Sequence, residues 1–207
     1  MERPPIASRH TLGGPSLQVE GTHGEERKVV TVLSADLSGS TALAERLDPE
    51  VMRGILASFF NALAHEIQRF GGTIDKYAGD AVMAVFGAPV AHEDDPARAL
   101  RAALAIRESV SRLNETVERE HAIRLAVRIG VNSGCVVAGT LPGEVQAAYT
   151  VVGDAVNTAQ RLQSIAEPGG ILVGATTQRL TARAFAFAAI DPVSEPDLVR
   201  GLVHDRR

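Results

Sequence analysis

Three observations predict an α+β fold for this sequence. Short β-branched runs alternate with two long amphipathic stretches. Their order is β-α-β-β-α-β, followed by further α/β elements. No segment repeats and none is of low complexity. That order is the ferredoxin-like plan with a C-terminal α/β extension.

Residues 1–26 are rich in Pro, Gly and charge without apolar periodicity, and are expected to form a disordered leader. From Lys28, "KVVTVLSAD" reads as a strand that ends on Asp36. "LDPEVMRGILASFFNALAHEIQRFGG" reads as a helix: Asp48 caps it, Pro49 fills its first turn and Gly71-Gly72 stops it. Its apolar residues Val51, Ile55, Phe59, Leu63 and Ile67 recur every fourth position and make one buried stripe. "TIDKY" and "AVMAVFG" are strands around "AGD", a hairpin. A second long helix starts at Asp94 or Asp95 with Pro96 in its first turn.

"IRLAVRIGVNSG" and "CVVAGT" are expected to form a strand pair, and "LPGEVQAA" an excursion. "YTVVGDAVNTAQRLQSIAEPGG" reads as strand, turn, helix and stop; "ILVG" as a strand; "ATTQRLTARA" as a short helix. The domain is placed at 27–190, with 191–207 as a tail of little pattern.

With 207 residues, 45% of them hydrophobic, the chain can bury a core. A net charge of −4, from 21 basic and 25 acidic residues, argues against a nucleic-acid or membrane surface. A single cysteine, Cys135, excludes an internal disulfide framework and reads as a small packed residue. No apolar run approaches the ~20 residues of a membrane span, and "MERPPIASRH" lacks a signal-peptide core. A soluble, cytoplasmic protein is expected. The six histidines are scattered without zinc-ligand spacing.

The chemistry centres on two carboxylates. Asp36 ends a strand and is followed by "LSGST"; Asp80 sits in the hairpin "KYAGDAV". In a split βαβ plan these elements are neighbours, so the two side chains could share hard divalent cations, Mg²⁺ or Mn²⁺. Ser38, Gly39, Ser40 and Thr41 would offer backbone N–H groups to phosphate oxygens at a helix start. Only two lysines occur, Lys28 and Lys76, so a lysine four residues before Asp80 hints at a need for a compact ammonium.

"VTVLSADLSGST", "KYAGDAVMAVFG" and "YTVVGDAVNTAQRL" together resemble the three core motifs of class III nucleotidyl cyclase catalytic domains, over roughly Arg27 to Phe187. The resemblance implies that Asp36 and Asp80, with the Leu37 carbonyl, bind two metal ions per site. It makes Lys76 and Thr150 the pair that reads the purine edge. A lysine donates and cannot accept, so it suits adenine N1 and disfavours guanine N1–H, which implies ATP. Asn157 and Arg161 match the pair that orients the ribose and neutralises charge on the α-phosphate; their i, i+4 spacing puts both on one helix face, away from Ala155, Ala159 and Leu162. Asp154 reads as support for the helix start.

The implied reaction converts ATP to 3′,5′-cyclic AMP and pyrophosphate in a homodimer with two composite sites, reached by the arm "TLPGEVQAA". "HEDDPARALRAAL" resembles the bacterial branch in which this domain accompanies large ATPase-type regulators, which implies a fused or separate regulatory partner. Departures from the pattern are Ser34 where Phe is usual, Gln160 beside Arg161, and no lysine after Lys76, so that either Arg200 substitutes as the triphosphate contact or the contact is absent. A guanylate cyclase and a decayed nucleotide-binding or dimerisation module are the alternatives. A diguanylate cyclase shares the plan, but "KYAGDAV" lacks that family's hairpin of adjacent acidic residues.

Overall fold

Eight successive residues of the first strand, Val30 to Leu37, are buried, and a strand buried so continuously must be covered on both faces. The computed structural model describes residues 26–140, 149–189 and 198–205, and places this strand, β1 (Glu26–Leu37), in the middle of the sheet. The elements follow as α1 (Ser40–Arg46), α2 (Pro49–Arg69), β2 (Thr73–Ala78), β3 (Ala81–Phe86), α3 (Asp95–His121), β4 (Val127–Thr140), β5 (Tyr149–Val152), α4 (Asp154–Ile165), β6 (Ile171–Gly174), α5 (Ala175–Thr181), β7 (Phe185–Ala189) and β8 (Leu198–Asp205). The sheet order is β2-β3-β1-β4-β6-β8-β7, with β5 paired to β4 off that path. Its first four strands, with β1 antiparallel to both β3 and β4, are the ferredoxin-like arrangement expected.

Alternation along the strands sorts the two faces. Leu33, Ala35 and Leu37 of β1 join Val82, Ala84 and Phe86 of β3 under α2 and α3. Val30 and Val32 join Met83 and Val85 on the other face, against Ala155 and Ala159 of α4. Asp36 therefore belongs to the α4 face. The expected stripe of α2 is buried at Ile55, Phe59, Leu63 and Ile67, while Val51 is half-buried. Asp48 accepts the Glu50 N–H at 2.8 Å, as a helix cap should.

Three expectations need correction. β4 is one strand of 14 residues, not a pair. Gly134, expected to end the first of that pair, has no positive φ and nor does Gly130; both face α4, which approaches with its backbone at Gly130 and with the Ala155 Cβ at Gly134. The expected C-terminal tail supplies β8, which pairs with β6 and β7. Cys135 lies inside β4 and is exposed. At the start of α3, Asp94 occupies the cap position but turns to the Arg98 guanidinium at 2.6 Å, whose hydrogen bond holds its pKa below the ordinary 3.8; Asp95 accepts the His92 N–H at 2.7 Å. The expected leader up to residue 25 and the excursion at 141–148 lie outside the described residues.

Between α2 and α3 one buried acid is fully engaged. Glu66 accepts from the Ser109 hydroxyl at 2.8 Å and from Arg69 at 3.2 Å. Burial pushes its pKa up, but those hydrogen bonds and the charges of Arg69 and His65 outweigh burial and hold it below the ordinary 4.5. A lowered folded pKa means the stabilisation is present above the unfolded value and is lost as pH falls through the folded one. Glu66→Gln should thus be destabilised by about 1–3 kcal/mol at pH 7 in urea unfolding, with the gap from wild type narrowing once pH drops below about 4. A gap that stays constant between pH 7 and about 3.5 would show that the ionised carboxylate contributes nothing.

Candidate active site

β1 delivers Asp36 to its C-terminal end on the α4 face, where it pairs in register with Ala81 of β3 and Arg128 of β4. Asp80 precedes Ala81 in the two-residue turn Gly79-Asp80, and Gly79 takes the left-handed conformation (φ 64°) that such a hairpin requires. The two aspartate Cα atoms are therefore no more than about 9 Å apart. Ser40, the first residue of α1, donates its hydroxyl to Asp80 Oδ2 at 2.5 Å. The loop after one carboxylate is thus fastened to the other. These two acids, remote in sequence, belong to one cluster.

Asp36 is nearly buried, and both its oxygens accept from Arg128: Nε to Oδ1 at 3.2 Å and Nη2 to Oδ2 at 2.9 Å. This fork is the commonest strong geometry for Arg and a carboxylate. Each oxygen keeps a further lone pair for a cation. Among the described residues no group of three or more His, Cys, Asp or Glu gathers, so a cation here would complete its shell from backbone carbonyl, phosphate and water. Two hard carboxylates of this kind fit Mg²⁺ or Mn²⁺ and not a soft metal. The phosphate cradle is narrower than expected: the Ser38 N–H is taken by the Ala126 carbonyl at 2.8 Å, and the turn passes through Gly39 (φ 72°) into α1. Gly39 and Thr41 are exposed beside it, and Leu37 is fully buried as the last residue of β1.

Lys76 lies on β2, its side chain half exposed, and Thr150 lies half-buried on β5. Between these strands stand β3, β1 and β4 in the sheet order, yet Asp75 spans the gap across the α4 face. Its Oδ1 accepts the Val151 N–H at 3.2 Å, and its Oδ2 is 3.3 Å from Lys76 Nζ. The structure thereby brings Lys76 near the residue next to Thr150. Asn157 and Arg161 are exposed on α4, while Ala155, Ala159 and Leu162 on its other side are buried. Gly153 caps that helix, and Asp154 is its exposed first residue. The side chain of Arg200 is outside the described residues; its backbone pairs with Val173 and Ala189.

Two site residues escaped the sequence reading. Arg128 was signalled only by a charge inside the apolar run "LAVRIGV", and Asp75 only by a second charge beside Lys76. Among the described residues no helix is long and apolar enough to cross a membrane.

Residues 23–198 match the family model described as the adenylate and guanylate cyclase catalytic domain. Adenylate cyclase 1 of Rhizobium meliloti is 30% identical over 147 residues, which are 71% of this chain; the chain spans 22% of that relative's length. Two solved structures align closely. The adenylyl cyclase CyaB from P. aeruginosa superposes with a TM-score of 0.82 at 30% identity, over 89% of this chain and 98% of that one. The guanylyl cyclase Cya2 gives 0.79 at 31% identity, over 88% and 93%.

Proposed function

Since the chain belongs to the adenylate and guanylate cyclase catalytic-domain family, we propose that it converts ATP to 3′,5′-cyclic AMP and pyrophosphate in a homodimer with two composite sites. The observation that carries this reading is the convergence of Asp36 and Asp80, at adjacent strand ends and joined through Ser40. Held there, Mg²⁺ or Mn²⁺ would supply the charge that acidifies the ribose 3′-hydroxyl and screens the triphosphate.

The chain's own groups supply position and complementary charge. Asp36 and Asp80 bring two negative charges to a spot whose nearest described cation is Arg128, paired to Asp36. A dication therefore gains more here than a bare triphosphate would. Arg128 can turn its fork from Asp36 to phosphate oxygens once cations occupy the carboxylates. Lys76 donates to the acceptor N1 of adenine, with Thr150 able to donate or accept beside it. Asn157 and Arg161, projecting together from the exposed face of α4, hold the ribose and bond the α-phosphate as charge builds during in-line attack. Both are exposed on α4, which is compatible with their serving a second copy's metal pair in this reading.

Incubation with ATP or GTP and Mn²⁺, followed by mass spectrometry, tests the reading. Cyclic AMP with little cyclic GMP is expected. Cyclic GMP as the main product would replace it with a guanylate cyclase, the activity for which the structural neighbour Cya2 is named. No cyclic product from either nucleotide at micromolar protein would leave a binding or dimerisation module.

A further inference from the structure

Asp75 occupies an irregular point in the β2–β3 ladder. Ile74 pairs with Ala84 and Lys76 with Met83, so Asp75 is an extra residue, the hallmark of a β-bulge. Strict alternation would send Asp75 and Lys76 to opposite faces. The bulge breaks it: Lys76 opposes Met83 of the α4 face, and the Asp75 carboxylate reaches Val151 on that same face. Only 2% of the Asp75 side chain is exposed. Its Oδ2 is a buried oxygen without a hydrogen-bond partner among the described residues, standing 3.3 Å from Lys76 Nζ outside hydrogen-bonding geometry. The gap lined by Thr73, Asp75, Val85, Ala88 and Val151 is ≈ 10 Å³, at the lower edge of what one water fills. The Val151 N–H holds one carboxylate oxygen and the Lys76 ammonium stands beside the other.

We propose that Asp75 is a positioning residue for nucleobase discrimination: it sets the spacing between Lys76 on β2 and Thr150 on β5, strands that no ladder joins. This rests on the reading of Lys76 and Thr150 as the purine pair. A lysine ammonium rides on four flexible carbons. Left free, it could leave adenine N1 and donate instead to guanine O6, which accepts equally well. Discrimination against guanine therefore requires a lysine that cannot wander. The unsatisfied Oδ2 provides the restraint, because burial of that oxygen is offset only while the ammonium stays beside it. The remaining Nζ protons are left for the base. Oδ1, bonded to the Val151 N–H, fixes the adjacent Thr150 on the opposite strand.

The test compares kcat and KM for ATP and GTP in wild type and Asp75→Asn. Asn keeps the shape and can still accept the Val151 N–H, but it removes the charge facing Lys76. The ratio of kcat/KM for ATP to that for GTP should fall about tenfold, mostly through a higher KM for ATP. An unchanged ratio, or equal losses for both nucleotides, overturns the proposal, since a merely structural role would move both together. Should Asp75→Asn fail to fold, Asp75→Glu makes the same comparison, the extra methylene displacing the charge instead of deleting it. If wild type turns over neither nucleotide, the cyclase reading fails on its own. Asp75 is then judged by calorimetry, where Asp75→Asn must narrow the ratio of ATP to GTP dissociation constants.

Discussion

Asp36→Ala is expected to lower kcat at least about 10³-fold, and Arg161→Ala about as much, yet a mixture of the two should be active. Each variant alone lacks one half of both composite sites. In a heterodimer one site combines the two defects and the other has neither. After free exchange half the dimers are mixed, and each carries one intact site of two, so about a quarter of wild-type activity returns. Loss of fold is the obvious confounder, because removing Asp36 strands the Arg128 guanidinium. Asp36→Asn separates the cases: the amide oxygen can still accept from Arg128, so the fold is kept, while the charge a cation needs is gone. An inactive, stable Asp36→Asn that complements Arg161→Ala supports the shared site. Heterodimers shown by native mass spectrometry to form, yet without turnover, would end it.

The juxtaposition of Asp36 and Asp80 was legible because it depends on two strong local signals. One is a β-branched run that can only be a central strand; the other is a hairpin whose glycine sits next to the acid. Once sequential packing places the hairpin beside that strand, the acids must meet. The faces of α4 were equally readable, since a helix 12 residues long shows its period plainly. What escaped depended on pairings between remote segments. Gly134 reads as a turn until α4 is packed on it, and then its missing Cβ becomes the reason the strand can continue. The eight residues of β8 lie between β7, the strand just before it, and β6, and went unread because Gly201 interrupts what alternation they show. Arg128 gains its meaning only from a register with Asp36, 92 positions away. The bulge at Asp75 is invisible in any one strand, because a bulge is a relation between two.

Among the described glycines, Gly130→Ala is expected to be the most damaging addition of a single methyl group. Even-numbered positions of β4 face α4, and a Cβ at Gly130 would run into the Ala159 carbonyl and the Gln163 amide nitrogen. These are backbone atoms of a formed helix, so no rotamer relieves the clash and α4 must lift from the sheet. Lifting opens the contacts of Ala159 and Leu162, both fully buried, and shifts Asn157 and Arg161 with the helix. A stability loss of about 2–4 kcal/mol follows. In whatever folded protein remains, a displacement of about an ångström should cost about 10²-fold in kcat. Gly134→Ala should be milder, because there the added methyl meets the Ala155 Cβ at 3.0 Å, the tip of a side chain. The pair also predicts which second change can help: Ala155→Gly should relieve Gly134→Ala, while Ala159→Gly should do nothing for Gly130→Ala, whose clash is with main chain. Urea unfolding of the four proteins decides it, and rescue of Gly130→Ala by Ala159→Gly would mean that α4 is held off β4 by side chains and not seated backbone to backbone.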